Sequence, residues 1–357
     1  MGKMSLSRNK LLIYGANGYS ANLIIEELIS RGVKPVLAGR NEEKIKDLAE
    51  MYSCEYSVFG LEEESVIDGA IKNFSTIINC AGPFRYTAKE IIESCIRTKT
   101  NYLDITGEIP VFHLAFSNSE KAKEAGITIM PGVGFDIIPT DCLAKRLSEK
   151  MPDAKNLKLG FLNKKGKISR GTWLTTLEFL GGTGLIRRGG KVVESEIGQY
   201  SIKLKKGKIS FNGLSIPWGD VYTSYQSTKI PNAKVYLAAP FIVYQLRKIV
   251  IPFLKLFRIH FIKSIAANYI KNKLTGPDKH HRDSTKTYLW GSVENEKGEM
   301  IEEIHRVMEG YNLTAKGAAE CAERVLNKLV QPGTYTPSMA FGSDFLDLFV
   351  IKEDTEI

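Results

Sequence analysis

Cysteine is scarce and scattered. Cys54, Cys80, Cys95, Cys142 and Cys321 are the only five among 357 residues, and no two of them form a C-x-x-C pair. This spacing excludes a disulfide framework and a cysteine zinc site, and it fits reduced thiols in a cytoplasmic setting. Histidine is as rare, with five residues. The His280-His281 pair lacks the i, i+4 spacing and the nearby carboxylates of a metal site, so it is placed in a loop and no metal is expected. Long apolar runs are also missing. The start, MGKMSLSRNK, leads straight into an apolar strand without the about 7–15 apolar residues of a signal peptide, so export is not expected. The most apolar stretch, Val235 to Ile270, is interrupted by Gln245, Arg247, Lys248, Lys255, Arg258 and Lys263. It never reaches the roughly 18 uncharged residues of a membrane-spanning helix.

What is present is an ordinary globular composition, 43% hydrophobic and 25% charged, which excludes disorder for most of the chain. The length suits two interlocked domains. Net charge is +9, yet Ser201 to Lys286 hold 16 Lys and Arg against three acids, a local +13 that leaves −4 elsewhere. A charge so localised argues for one electropositive face and against nucleic acid as the partner.

The first 150 residues alternate between short apolar runs and helical periodicity. Strands are predicted at 10–14, 35–38, 56–59, 76–80, 102–105 and 127–130, with helices after Gly18, from Asn41, and over 63–72, 88–97 and 116–125. Strands separated by helices imply an α/β fold, a Rossmann-type doubly wound parallel sheet with right-handed crossovers. At the first strand–helix junction stands Gly15-x-x-Gly18-x-x-Ala21. Small residues there let the backbone approach a pyrophosphate, whose charge then rests on the helix N-terminus. The second strand ends in Ala38-Gly39-Arg40, where an NAD-selective site would carry an acid for the adenosine ribose. A guanidinium there pairs with a 2′-phosphate, so Arg40 predicts NADP(H). Ala81, Gly82, Pro83 and Phe84 follow the fourth strand and flank the ribose and nicotinamide, with the core as the rival place for Phe84.

Five strings coincide in order: GANGYSA at 15–21, AGR at 38–40, INCAGPF at 78–84, YLDITGE at 102–108 and PGVGFDIIPTD at 131–141. Together they resemble the saccharopine dehydrogenase-like oxidoreductases with an NADP-binding domain, the family that includes the trans-acting enoyl reductases. IPWGDVYTSYQST at 216–228, LWGSV at 289–293 and TPSMAFG at 336–342 extend the resemblance over most of the chain. The resemblance implies a cofactor set of Gly15, Asn17, Gly18, Tyr19, Arg40 and Cys80 to Phe84, with Ser20 and Gly39 beside them. It also implies a last helix and tail that return to the Rossmann domain.

The domain plan expected is an NADP-binding domain over 1–145, an α+β substrate domain over 146–310, and a returning helix and tail over 311–357. In the second domain, strands are read at 157–162, 209–211, 222–226 and 234–237, and NEKG turns a hairpin between 288–293 and 300–307. Gly181, Gly182, Gly184, Gly189 and Gly190 form a glycine-rich loop, either closing over substrate or merely connecting. Residues 242–273 read as a basic amphipathic helix that Pro252 kinks or divides. It either meets an anionic membrane surface, an acidic carrier or an acyl chain, or packs on the core with a solvated basic face.

The chemistry expected is hydride transfer from NADPH to a C=C or C=O/C=N bond of an apolar, lipid-like or carrier-bound small molecule. Glu108 is the preferred substrate-side acid, with Tyr86 and Asp136 as further catalytic candidates. Asp104 is another acid that the motifs bring near, and Asp136 and Asp141 have a rival role at a helix start. Two other readings stay open. One is a membrane-associated scaffold, peripheral to a membrane, that keeps its cofactor site. The other is a saccharopine-type amino acid dehydrogenase, for which Arg170, Arg187 and Arg188 supply the carboxylate clamp. A homodimer is left open.

Overall fold

A computed structural model describes residues 10–164, 166–179, 182–206 and 209–352. Two compact units divide the chain. The first comprises the residues up to Phe135 together with Thr314–Tyr335, and the second comprises Asp136–Leu313 and the residues from Thr336 on.

The first unit alternates as its periodicity requires. Its elements are β1 (Leu11–Tyr14), α1 (Tyr19–Ser30), β2 (Val36–Gly39), α2 (Glu42–Tyr52), β3 (Tyr56–Val58), α3 (Glu64–Ile71), β4 (Thr76–Asn79), α4 (Ala88–Thr98), β5 (Asn101–Asp104), α5 (Ile109–Ser117), α6 (Ser119–Ala125) and β6 (Thr128–Met130). The strands β1, β2 and β4 are buried on both faces, as central strands of a covered parallel sheet must be, with Thr76 and Asn79 the polar ends of β4. One helix expected over 116–125 is instead two. Pro110 is tolerated in the first turn of α5, and the Asn118 amide donates to the Leu114 carbonyl, closing that helix before α6 begins. All pairings in this sheet are parallel, and its order is β15-β6-β5-β4-β1-β2-β3, with β15 (Gly333–Thr334) arriving from the far end of the chain. The order reverses between β1 and β4, so a crevice opens at their carboxyl ends.

The second unit holds α7 (Ile138–Lys150), β7 (Asn156–Lys164), α8 (Arg170–Phe179), β8 (Gly184–Arg188), β9 (Lys191–Ser195), β10 (Ser201–Lys206), β11 (Ile209–Ile216), α9 (Asp220–Thr228), β12 (Asn232–Ala239), α10 (Phe241–Gln245), α11 (Arg247–Leu254), α12 (His260–Lys273), α13 (Lys279–Ser284), β13 (Lys286–Glu294) and β14 (Met300–Val307). Its mixed sheet runs β10-β11-β12-β7-β13-β14, with β8 beside β12 and β9 beside β8. Gly291 lets α7 lie close on this sheet, since a Cβ there would meet Leu147 Cδ1 at 2.7 Å. The chain ends with α14 (Gly310–Leu326), which crosses the division between units, and α15 (Pro337–Phe341).

Several elements differ from the pattern-based expectation. Residues 222–226 read as a strand but lie in α9. There the hydroxyls of Ser224, Ser227 and Thr228 donate to carbonyls one turn back, so a β-branched, hydroxyl-rich segment satisfies itself as a helix against α7. His280 and His281 lie in α13, capped by the Asp278 carboxylate on the His281 N–H, rather than in a loop. Part of the glycine-rich loop is a hairpin: Gly189 and Gly190, at φ +56° and +78°, form the turn between β8 and β9. Gly184 starts β8, and Gly181 lies outside the described residues. The division falls before α7, ahead of 145/146. Of the tail, 314–335 belong with the Rossmann sheet, while the residues from Thr336 on belong with the second unit.

Candidate functional site: a dinucleotide cradle

The carboxyl end of β1 turns through Gly15 at φ +77°. The N–H groups of Gly15 and Ala16 donate to the Ala38 carbonyl at 2.8 and 3.0 Å, tying this loop to the end of β2. A Cβ on Gly15 would lie 2.8 Å from the Ala81 nitrogen, so the loops after β1 and β4 touch and only glycine fits between them. Gly18 caps α1 in extended conformation, and its N–H donates to the Gly15 carbonyl at 3.0 Å. From beneath, the Asn22 amide donates to the Ala16 and Gly18 carbonyls. As the N-cap, Gly18 brings no side-chain hydrogen bond to α1, and no acid stands in the first turn. The positive end of such a helix, approached through glycines, suits an anion.

The end of β2 supplies the second element. Gly39 is buried, a Cβ there would meet Ile45 at 3.0 Å, and Asn17 Oδ1 lies beside it. Arg40 is exposed immediately after. Its charge reaches the Tyr14 hydroxyl, partly offsetting the burial that raises that phenol. No carboxylate occupies positions 38–41, and Asn41 uses its side chain to cap α2 on the Lys44 N–H.

The turn after β4 is held from three sides. The Cys80 N–H donates to the Tyr14 carbonyl at 2.8 Å, the Ala81 N–H to Asn79 Oδ1 at 3.0 Å, and the Thr87 hydroxyl to the Ala81 carbonyl at 2.8 Å. Gly82–Pro83 is a cis peptide. Burial and the neighbouring Asp104 raise the Cys80 thiol far above its ordinary range, so it stays protonated and unreactive. Phe84 takes its rival role: its ring is buried in the core cluster of the Rossmann unit.

The catalytic candidates fare differently. Glu108 is 2% exposed. Its Oε1 accepts the Phe84 N–H at 2.8 Å and its Oε2 the Arg85 N–H at 3.1 Å, with the Arg85 guanidinium 3.5 Å away. A carboxylate engaged on both oxygens by backbone amides anchors the turn. Glu108, expected as the substrate-side acid, thus has both oxygens engaged by the turn that it fastens. Asp104 anchors likewise, accepting the N–H groups of Thr106 and Gly132 and the Tyr102 hydroxyl, while burial pushes its carboxyl up to about 6. Tyr86 is 64% exposed at the end of the turn, with the Arg85 guanidinium 5.6 Å from its ring centre.

Asp136 belongs to the second unit. Burial pushes its carboxyl up to about 7, while its backbone carbonyl accepts the Trp218 indole N–H at 2.8 Å. The charge of Asp136 also reaches Tyr311, whose hydroxyl burial raises and which accepts the Ser169 N–H at 2.5 Å and lies 2.9 Å from Thr172 Oγ1. Asp141 takes its rival, structural role: its carboxylate accepts hydroxyls from Ser227, Thr336 and Ser338. Periodicity missed Trp218, Tyr311, Asn79 and Asn22. Asn79 and Trp218 carried a signal, inside the INCAGPF and IPWGD strings.

Residues 11–130 match the family described as saccharopine dehydrogenase NADP binding domain. This part of the first unit is similar to a saccharopine dehydrogenase NADP-binding domain. Its glycine cradle, helix N-terminus and exposed arginine fit a dinucleotide with a 2′-phosphate. Among curated relatives, the chain is 29% identical over 151 residues to the saccharopine dehydrogenase-like oxidoreductase of Bos taurus, covering 37% of this chain and 35% of that one. It is 25% identical over 139 residues to the trans-acting enoyl reductase of Mycobacterium leprae, covering 37% and 33%. The matches therefore span about a third of these relatives' lengths. The solved apo saccharopine dehydrogenase (L-Glu forming) of Saccharomyces cerevisiae shares the fold, with TM-score 0.64 at 15% identity over 96% of this chain and 98% of that one. Among the described residues, no cluster of His, Cys, Asp and Glu is arranged to hold a metal ion.

Proposed function

We propose that the protein is an NADPH-dependent reductase acting on a C=C, C=O or C=N bond of an apolar, lipid-like or carrier-bound substrate. The observation that carries the cofactor half is Arg40, exposed at the end of β2 where an NAD site would carry an acid. Relatives named as oxidoreductases and as an enoyl reductase support the reaction class. The bound nicotinamide supplies a hydride. The chain's own work is to seat the dinucleotide on Gly15 to Ser20, to hold the turn at 80–84 rigid through Glu108 and Asn79, and to supply a proton. In this reading Asp136 is the proton donor, supported by a carboxyl raised to about 7, where it is partly protonated at neutral pH.

The saccharopine-type reading calls for arginines that face substrate carboxylates. Arg187 is buried, and its guanidinium donates to the carbonyls of Val221, Gly190 and Tyr222. Arg188 donates to the Tyr200 hydroxyl. This use of Arg187 favours the apolar substrate.

The test is a fluorescence titration with NADPH and with NADH, on the protein and on Arg40→Ala. A charge-assisted pair with the 2′-phosphate contributes about 1.5–3 kcal/mol, so the variant should lose roughly ten- to hundredfold in NADPH affinity and little in NADH affinity. Equal affinity for the two cofactors in the unaltered protein would overturn the NADP assignment. Unchanged 340 nm absorbance across a panel of enoyl and keto lipids would overturn the substrate class.

A further inference from the structure

The helices α10 to α12 leave large apolar side chains in solvent, and α12 shows why this is not ordinary surface. Two adjacent stripes of α12 are apolar. Ile262, Ala266 and Ile270 form one, with Ile270 only 7% exposed, and α12 packs on α8. Phe261, Ile265 and Tyr269 form the other at the same four-residue spacing, and Phe261 is 71% exposed. Phe241, Ile249 and Phe253 of α10 and α11 are exposed to a similar degree. The apolar side chains of these helices are thus divided between the packed side and solvent. So many large apolar side chains exposed within one segment mark an interaction site.

Charge selects the occupant. Residues 241–273 contain seven Lys and Arg and no Asp or Glu. A second copy meeting this face by two-fold symmetry would set like charges against each other across an apolar contact, a costly arrangement. An anionic phospholipid surface supplies both complements: acyl chains for the aromatic and aliphatic side chains, and headgroups for the cations. Lys248 and Lys273 are exposed beside the apolar side chains. Tyr269 carries the amphipathic ring favoured at the level of the headgroups. Insertion is confined to one leaflet, because no helix among the described residues is long and apolar enough to cross a membrane.

We propose that α10, α11 and α12 dock the protein on an anionic phospholipid surface, with Phe241, Ile249, Phe253, Phe261, Ile265 and Tyr269 inserted among the acyl chains. This inference is independent of the cofactor reading. It is tested by co-flotation of the full chain with vesicles of phosphatidylcholine alone and of phosphatidylcholine mixed with phosphatidylserine. Binding to the mixed vesicles, weakened by salt and stronger than to the neutral ones, is the expected result. Ile249→Ser with Phe253→Ser, and separately Phe261→Ser with Ile265→Ser, should each lower partitioning by roughly tenfold per side chain removed. Lys248→Glu with Lys273→Glu should remove the preference for phosphatidylserine. All six positions are exposed, so the variants should bind NADPH as the unaltered protein does, which separates loss of docking from loss of fold. Absence of flotation with either vesicle, equal flotation of the protein and its variants, or a dimer that the serine variants dissociate while vesicles stay unbound would each overturn the proposal.

Discussion

Glu108 separates an anchoring acid from a catalytic one, and Glu108→Gln distinguishes them in one experiment. The carboxylate accepts the Phe84 and Arg85 N–H groups at 2.8 and 3.1 Å and is 2% exposed. The glutamine amide keeps one acceptor oxygen, but it turns an NH₂ group toward the other backbone donor. One charge-assisted hydrogen bond is therefore lost, the second is weakened to a neutral one, and a donor is left facing a donor. With about 1.5–3 kcal/mol for a hydrogen bond to a charged group and about 1 for a neutral one, the loss is about 2–5 kcal/mol. For a unit of this size, that corresponds to a melting temperature lower by roughly 4–20 °C. NADPH affinity should fall as well, because the turn at 80–84 loses its fastening. Differential scanning fluorimetry with and without NADPH reads both effects. A variant that melts unchanged and binds NADPH normally, yet has lost turnover together with one limb of the pH profile, would refute the anchoring role and restore Glu108 as the proton donor.

Two further outcomes follow from the raised carboxyls of Asp104 and Asp136. Folding lifts Asp104 from 3.8 to about 6 through burial. The protonated form is thus the favoured one in the folded state, and its contribution is full below pH 4 and lost as pH rises through 6. That loss amounts to ~3 kcal/mol. Asp104→Asn should flatten this part of the stability profile, and urea midpoints at pH 4.5 and pH 7 that shift equally in both proteins would contradict it. For Asp136, whose carboxyl is raised to about 7 by burial, kcat/KM should decline above neutral pH as the proton is lost. Asp136→Asn should lower turnover and remove that decline, and a variant that keeps it would exclude Asp136 as the donor.

The cradle was legible in the sequence because backbone sterics write themselves into residue type. Gly15 must be glycine, since its φ is +77° and Ala81 lies against it, and that demand is visible as a small residue at a strand end. Arg40 was legible for a similar reason, because chain position alone places the end of β2 beside β1. Acids are different. Asp104, Glu108, Asp136 and Asp141 carry the same functional group within forty residues. Their roles depend on which amides and hydroxyls the tertiary fold brings to them. Glu108 meets amides 24 and 23 residues back, and Asp141 meets hydroxyls as far as Thr336 and Ser338. No local pattern encodes such partners. The helix α9 failed for a related reason: alternation of Val, Thr and Tyr favours a strand, but hydroxyl donation to the preceding turn and burial against α7 reverse the preference.

Arg187 shows how a functional expectation can fail on orientation alone. A carboxylate clamp needs guanidinium N–H groups that face the ligand in a planar fork. Those of Arg187 are directed at the Gly190 carbonyl in the β8–β9 turn and at the Val221 and Tyr222 carbonyls of α9, and its plane lies 4.5 Å from the Tyr225 ring centre. Gly190 is itself fixed by the Pro231 carbonyl, which accepts its N–H at 2.8 Å. The arginine therefore ties a hairpin turn to a helix, and rotating it toward a substrate would give up three hydrogen bonds from its guanidinium. That penalty of about 1–3 kcal/mol for each opposes a polycarboxylate ligand. The same accounting leaves apolar substrates untouched, which is why the direction of one guanidinium bears on substrate class more than the presence of three arginines in the sequence.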